Sequence, residues 1–205
     1  MATLTLGNKT VVTQAGSAEP VLASNVNLGN ATFPAGHVVQ TKQFIFSKIA
    51  NTTSGSMTQI TDGSVNFRDS ITVKANSKIL ARATLTIGST GNQGFFVGLF
   101  KSTDGATFSE ITALHNDSSS PANKGTNCAM PLFHQGQGGV RLEKGTLEYL
   151  DTITSAGTYH YALFFRTGST GRVVVNFTPG AYSSGTTNVD YGSSASVMTL
   201  MEIAG

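Results

Sequence analysis

The residue types that carry chemistry in proteins are few and widely spaced in this chain of 205 residues. The histidines are His37, His115, His134 and His160, and no two stand at the His-X-His or His-X3-His spacing common in metal sites. Asn116 and Asp117 follow His115 and offer oxygen ligands, but such a trio is more often a solvated turn. We therefore predict no metal site and no cofactor.

The acidic residues give the only suggestion of catalysis. Glu143, Glu148 and Asp151 lie close in sequence, and glycosidases use paired carboxylates. Spacing along a chain does not fix separation in space, and no Gly-X-Ser-X-Gly elbow or Cys-His arrangement is present. We predict that the protein is not an enzyme and has no catalytic residues.

Composition excludes further classes. Charged residues make up 12% of the chain and the net charge is +2, with lysines scattered, so the pattern predicts no nucleic-acid binding. No apolar run reaches membrane-spanning length, and the N-terminus lacks the features of a secretory signal. Cys128 is the single cysteine, so no disulfide forms within the chain; we predict an idle thiol rather than a cross-link between copies.

Strong strand patterns lie in the middle of the chain. Residues 77–101 read as two strands joined by the polar turn GSTGNQG, which predicts a hairpin. One row of the first strand is Ile79, Ala81, Ala83, Leu85 and Ile87, and one row of the second is Phe95, Val97 and Leu99. Residues 147–153 and 158–166 predict a second hairpin, across Ser155-Ala156-Gly157.

The strand count predicts the fold class. About ten strands with Gly-rich turns, and no helical periodicity, indicate an all-β, jelly-roll-like antiparallel β-sandwich over residues 37–205. Residues 1–36 have short, scattered apolar groups and no aromatic residue before Phe33. They predict an extended N-terminal arm that attaches elsewhere, with a flexible tail as the alternative.

Two sets of residues are candidates for binding. Some strands are apolar on both faces, which favours a subunit interface on the second face; its predicted members are Phe96, Phe100, His160, Phe164, Met198 and Leu200. Polar loops that carry aromatic residues favour glycan contact, with coverage of the core edge as the alternative; the candidate residues are Asn116, Asp117, Tyr182, Asp190 and Tyr191.

Four segments carry a resemblance to a known group: FPAGHVVQ (33–40), SITVKANSKILARATLTIG (70–88), LEYLDTITSAGTYHYALFFRT (147–167) and ASVMTLMEIAG (195–205). Over residues 33–205 the chain resembles virion proteins of marine tailed phages, of the fibre, knob or decoration type. The resemblance implies a bacteriophage structural protein at the virion surface, a homotrimer, and attachment to other virion proteins through residues 1–36. The rival expectation is a carbohydrate-binding, lectin-like module for recognition of a host surface.

Overall fold

The computed structural model describes residues 2–6, 9–14, 21–22, 33–90, 94–114, 130–133, 142–168, 171–178 and 193–205. The chain divides into two compact units, Met1–Pro34 and Ala35–Gly205. In the first unit, β1 (Ala2–Leu6), β2 (Lys9–Gln14) and β3 (Val21–Leu22) pair as a small antiparallel sheet. The parts of the predicted arm that the structure describes therefore pair with one another, and the attachment role of residues 1–36 stays a prediction.

The second unit is built from strands and one short 3-10 turn, Thr112–Leu114, among its described residues. Its strands are β4 (Val38–Phe46), β5 (Ala50–Thr52), β6 (Thr58–Gln59), β7 (Arg68–Val73), β8 (Lys78–Ser89), β9 (Gly94–Ser102), β10 (Ser109–Glu110), β11 (Met130–Phe133), β12 (Glu143–Thr152), β13 (Gly157–Thr167), β14 (Val173–Val175) and β15 (Ser196–Ile203).

These strands form two antiparallel sheets. In sheet 1, β12 pairs with one edge of β8, while β15 and β14 pair with the other edge and lead on to β4 and β5. In sheet 2, β10 and β11 share one edge of β9, β13 takes the other, and β7 and β6 follow. Each sheet is thus four strand positions wide.

The order of the positions defines the fold. Sheet 1 runs β4–β15–β8–β12 and sheet 2 runs β7–β13–β9–β10. Along these eight strands the chain alternates between the sheets except at β9 and β10, which lie together in sheet 2, and the first and last strands lie side by side. This is the order of a jelly roll. The predicted fold class, an all-β jelly-roll-like sandwich, is confirmed.

Both predicted hairpins are wrong. β8 lies in sheet 1 and β9 in sheet 2, and the same holds for β12 and β13. A short polar turn between two alternating strands permits either a hairpin within one sheet or an arch between two sheets, and alternation alone does not distinguish them. The inward rows are nevertheless as predicted, because all eight residues named for β8 and β9 lie in the core.

The core between the sheets is continuous. Phe46 and Phe67 stack with ring centroids 5.1 Å apart and an interplanar angle of 10°. Buried Asn176, at φ 66°, donates from Nδ2 to the carbonyls of Phe46 and Lys48, and its Oδ1 accepts a hydrogen bond from Ser196. These bonds satisfy the polar groups that would otherwise weaken the core.

A buried carboxylate joins the edge of sheet 1 to the turn after β7. Glu202 on β15 is 2% exposed. It accepts hydrogen bonds from Gln40 Nε2 at 2.7 Å, Ser77 Oγ at 2.7 Å and the Lys74 backbone N–H at 3.0 Å. Burial raises the pKa of Glu202, but these three hydrogen bonds and the Lys74 charge outweigh it and hold that pKa below the ordinary value of 4.5.

Candidate functional site

The sandwich has a groove on the side where β12 of sheet 1 faces β9 and β10 of sheet 2. Its volume is about 450 Å³. Its lining is rich in hydroxyl groups, supplied by Ser102, Thr103, Thr107, Ser109 and Thr112. Lys101, Glu110, Tyr149 and Asp151 add ionisable groups. Concave sites with several convergent polar groups are the usual places where small ligands bind.

A charged network crosses one wall of the groove. The Tyr161 hydroxyl donates a hydrogen bond of 2.6 Å to Asp151 Oδ2, and the Lys101 ammonium forms an ion pair with the same oxygen. Lys101 Nζ also lies 4.8 Å from the centroid of the Tyr159 ring. Asp151 is therefore a paired, buried carboxylate, which favours a positioning role over that of a free base.

The environment fixes the protonation of Tyr161. Burial raises its pKa, and the hydrogen bond and the negative charge of Asp151 raise it further, well above the ordinary value of 10.0. The phenol consequently stays protonated, and so a hydrogen-bond donor, at neutral pH and above the ordinary value of 10.0.

The loop that leaves β9 forms the rim of the groove. Asp104 Oδ1 accepts hydrogen bonds from Ser102 Oγ at 2.6 Å and from the N–H groups of Ala106 and Thr107, each at 2.8 Å. These hydrogen bonds hold the pKa of Asp104 well below its usual range, and the bond from Ser102 has the largest effect. Gly105 adopts φ 71°, a left-handed conformation that suits glycine.

The same loop covers the outer face of sheet 2. Arg68 Nη1 donates to the Gly105 carbonyl at 2.8 Å, and a Cβ built at Gly105 would lie 3.0 Å from the His160 ring. Phe108 packs against Phe164, with ring centroids 6.1 Å apart. The loop thus packs over two residues that the sequence assigned to a subunit interface.

The aromatic residues of this face are covered within one chain. Phe100 stacks on Phe164 with ring centroids 4.0 Å apart, and the Arg166 guanidinium lies 4.2 Å from the Phe96 centroid. Phe96 is 4% and Phe100 9% exposed, whereas His160 and Phe164 are half-buried. The second apolar face of β9 is explained by the chain's own loop and side chains, so it does not require a second subunit.

Two of the predicted interface residues are wrong. Met198 and Leu200 are 0% exposed and belong to the core between the sheets. The outward residues of β15 are Val197, Thr199, Met201 and Ile203, which are half-buried. Both rows of this strand are apolar, so sequence alternation could separate the rows but could not tell which one faces the core.

The remaining predicted sites have different outcomes. Asn116, Asp117, Tyr182, Asp190 and Tyr191 lie outside the described residues. The Glu148 and Asp151 carboxylates do not converge. Glu148 is exposed and its Oε2 lies 3.6 Å from Arg82 Nε, while Asp151 points into the sandwich.

Sequence reasoning missed the groove. Its lining comes from β9, the loop that follows it, β10, the turn after β10, and β12, and only the order of the sheets brings β12 close to the others. Among the residues that the structure describes, no three His, Cys, Asp or Glu side chains come together as a metal site would need. No described helix has the length and hydropathy to cross a membrane.

Comparison with known proteins gives distant likenesses of fold. No protein-family model matches the chain, and no curated protein is similar to it in sequence. The structure of infectious bursal disease virus, Gx strain, matches with a TM-score of 0.35 and 10% identity, over 96% of this chain and 51% of that one. A CocE/NonD family hydrolase from Staphylococcus aureus matches with a TM-score of 0.31 and 12% identity, over 90% of this chain and 39% of that one.

The Gt strain of infectious bursal disease virus matches similarly, with a TM-score of 0.32, 7% identity, and coverage of 94% of this chain and 46% of that one. The chain thus spans about half the length, or less, of these three structures. TM-scores this low carry no argument about function.

Proposed function

We propose that the protein is a structural component of a virion: a fibre, knob or decoration protein at the surface of a tailed bacteriophage. The observation that carries the proposal is the jelly-roll order of the two sheets, preceded by a separate N-terminal unit. Jelly rolls are frequent in viral structural proteins and in lectins. The support is analogy of fold together with the sequence resemblance, since a fold alone hosts many functions.

In this proposal residues 1–36 attach the protein to other virion proteins, and the jelly roll projects outward. Copies associate, and the resemblance implies a homotrimer. Because Met198 and Leu200 are core residues and Phe96 and Phe100 are covered, the contact between copies uses other surfaces. The protein has no catalytic role in this proposal, and it binds neither nucleic acid nor membrane.

Deletion of residues 1–36 tests the attachment. The truncated protein should keep the far-ultraviolet circular dichroism spectrum of β-structure and lose its association with purified particles. As a matched control, an exposed substitution such as Ile49→Ser in the full chain should leave that association unchanged. Truncated protein that still associates with particles as the full chain does would contradict the role of the arm.

The groove favours a second candidate function, carbohydrate binding for host recognition. Sugars commonly bind where an aromatic ring offers a stacking surface and hydroxyl or carboxylate groups meet the sugar hydroxyls. Tyr149 and Glu110 supply these groups beside five hydroxyl side chains.

A glycan array followed by calorimetry tests this function. Tyr149→Ala and Glu110→Gln should each weaken any binding that the parent shows, whereas Thr152→Ala, on the same strand but outside the groove, should not. No binding by the parent, or equal binding by all variants, would exclude the groove as a glycan site.

A further inference from the structure

The edge strand β12 has an unusual form for an edge. It is ten residues long, its pairing with β8 runs from Glu143 to Thr152 without a register shift, and it contains no proline. Among the described residues it pairs only with β8. Proteins usually protect such edges with short strands, bulges, proline or charged side chains, because an open edge is a template for another strand. β12 has none of the first three protections, and its exposed charges, Lys144 and Glu148, are opposite in sign.

The outward backbone groups of β12 can be assigned from its pairing. Just beyond the strand, the Ile153 N–H donates to the Ser77 carbonyl at 2.9 Å, so the pair 153–77 is a hydrogen-bonded pair. In an antiparallel ladder such pairs alternate, which places the N–H and C=O groups of Lys144, Thr146 and Glu148 on the side away from β8. The side chains of these three residues are exposed on the outer face of sheet 1.

The residues at the outward positions of β12 are arranged symmetrically about Thr146, with one charged residue and then one leucine on each side. Within the strand they are Lys144, Thr146, Glu148 and Leu150, and Leu142 continues this row one residue before the strand begins. If two copies of β12 pair antiparallel about Thr146, each Lys144 meets Glu148 of the second copy and each Leu142 meets Leu150. Opposite charges and apolar pairs directly across two antiparallel strands stabilise the pairing.

Other registers lack this complementarity. Sliding one copy by two residues places Leu150 opposite Lys144, or Leu142 opposite Glu148. Sliding it by four residues places two Lys144 or two Glu148 side chains opposite each other, which is unfavourable. The strand therefore specifies one register.

The neighbouring strand β8 extends the match. Glu148 faces Arg82, and Leu150 faces Leu80 in the β12–β8 register. In the paired arrangement the Arg82–Glu148 pair would continue into Lys144 of the second copy. Leu150, which is 49% exposed in one chain, would be covered by Leu142 of the second copy.

From these observations we propose that β12 is a self-association site: a second copy of this chain binds it as an antiparallel strand, about a two-fold axis at Thr146. The two copies of sheet 1 then form one continuous sheet across the dimer. This is strand addition with an isologous interface. It is an alternative to the homotrimer that the resemblance implies, and it is independent of the attachment role of residues 1–36, since it rests only on the edge and its sequence.

Charge reversal tests the register. Measured by light scattering, the parent should have twice the mass of one chain. Lys144→Glu should be monomeric because it sets Glu against Glu at both ends of the interface, and Glu148→Lys should be monomeric because it sets Lys against Lys. An equimolar mixture of the two variants should recover the twofold mass, since every cross pair is again opposite in charge.

The recovery in the mixture also shows that both variants are folded. Lys78→Glu is the matched control, because Lys78 is an exposed cation of sheet 1 that lies on β8 rather than on the edge; it should keep the parental mass. A parent with the mass of one or three chains would overturn the proposal. So would single variants that keep the parental mass, or a mixture that stays monomeric.

A thiol placed at the two-fold axis tests the geometry independently. In a Cys128→Ser background, Thr146→Cys should form a disulfide between copies under mild oxidation, because the Cα atoms of a hydrogen-bonded antiparallel pair lie about 5.5 Å apart. Thr152→Cys, on the same strand and face, should not cross-link, since the two copies of residue 152 would lie at opposite ends of the paired strands. Equal cross-linking at both positions would overturn the assigned register.

Discussion

Replacement of Glu202 by Gln removes the buried charge that joins β15 to β4 and to the turn after β7. The substitution keeps the shape of the side chain but exchanges one carboxylate oxygen for an amide NH₂. Gln40 Nε2, Ser77 Oγ and the Lys74 N–H all donate to the carboxylate. Whichever way the new amide turns, one of these donors faces another donor.

The magnitude follows from those contacts. Hydrogen bonds to a charged group contribute about 1.5–3 kcal/mol each, and a buried donor left without an acceptor costs about 1–3 kcal/mol. Contributions within one network are not additive. We therefore expect Glu202→Gln to lower the free energy of unfolding by about 2–4 kcal/mol.

Urea unfolding followed by tyrosine fluorescence measures the effect, because the chain has no tryptophan. Asp69→Asn is the matched control: it makes the same exchange of carboxylate for amide on β7, away from β12, at a half-buried residue whose Oδ1 lies 3.5 Å from the Nζ of the exposed Lys42. Such a pair contributes about 0–1 kcal/mol. If the two variants unfold at the same urea concentration, the reasoning about the buried network is refuted.

Three further predictions concern pH and packing. Because the pKa of Glu202 is lowered on folding, its contribution should be present above pH 4.5 and lost as the pH falls through the folded value; acid unfolding curves of Glu202→Gln should show a smaller loss than those of the parent. Because the pKa of Tyr161 is raised, stability should decline above pH 10.0, where only the unfolded phenol ionises, and Tyr161→Phe should reduce that decline in alkaline urea titrations. Gly98→Ala should lower the unfolding free energy by about 1–3 kcal/mol, since the new Cβ would lie 2.7 Å from Glu110 Oε1 and 2.9 Å from Phe100 Cε2. Gly55→Ala, with no atom within 4 Å of its Cβ, should be near neutral in the same urea assay. Equal effects of the two substitutions would contradict the packing argument.

Much of the fold could be predicted from the sequence because strand alternation is a local signal. The inward rows of β8 and β9 were assigned correctly; in β8, for example, Leu85 lies between Thr84 and Thr86. The pairing of strands was not predicted, because the sequence of the turn after β8 is compatible both with a return in the same sheet and with a crossing to the other sheet.

The errors at the predicted interface arose in strands that have apolar residues on both faces. Met198 and Val197 are both apolar, so only the packing of β15 between β4 and β8 decides which of them is buried. Phe100 was assigned to an interface because its cover, Phe164 and the loop that carries Phe108, comes from distant parts of the chain. The groove depends in the same way on long-range pairing, and no local pattern encodes it.

The most direct test of the proposed virion role is a density map of the whole virus particle produced from the genome that encodes this chain. The proposal predicts density for the two sheets of the jelly roll on the outer surface of the particle. It also predicts that residues 1–36 contact a different virion protein. Particles that contain no copy of the chain, or copies held by the jelly roll with residues 1–36 turned away from the particle, would contradict it.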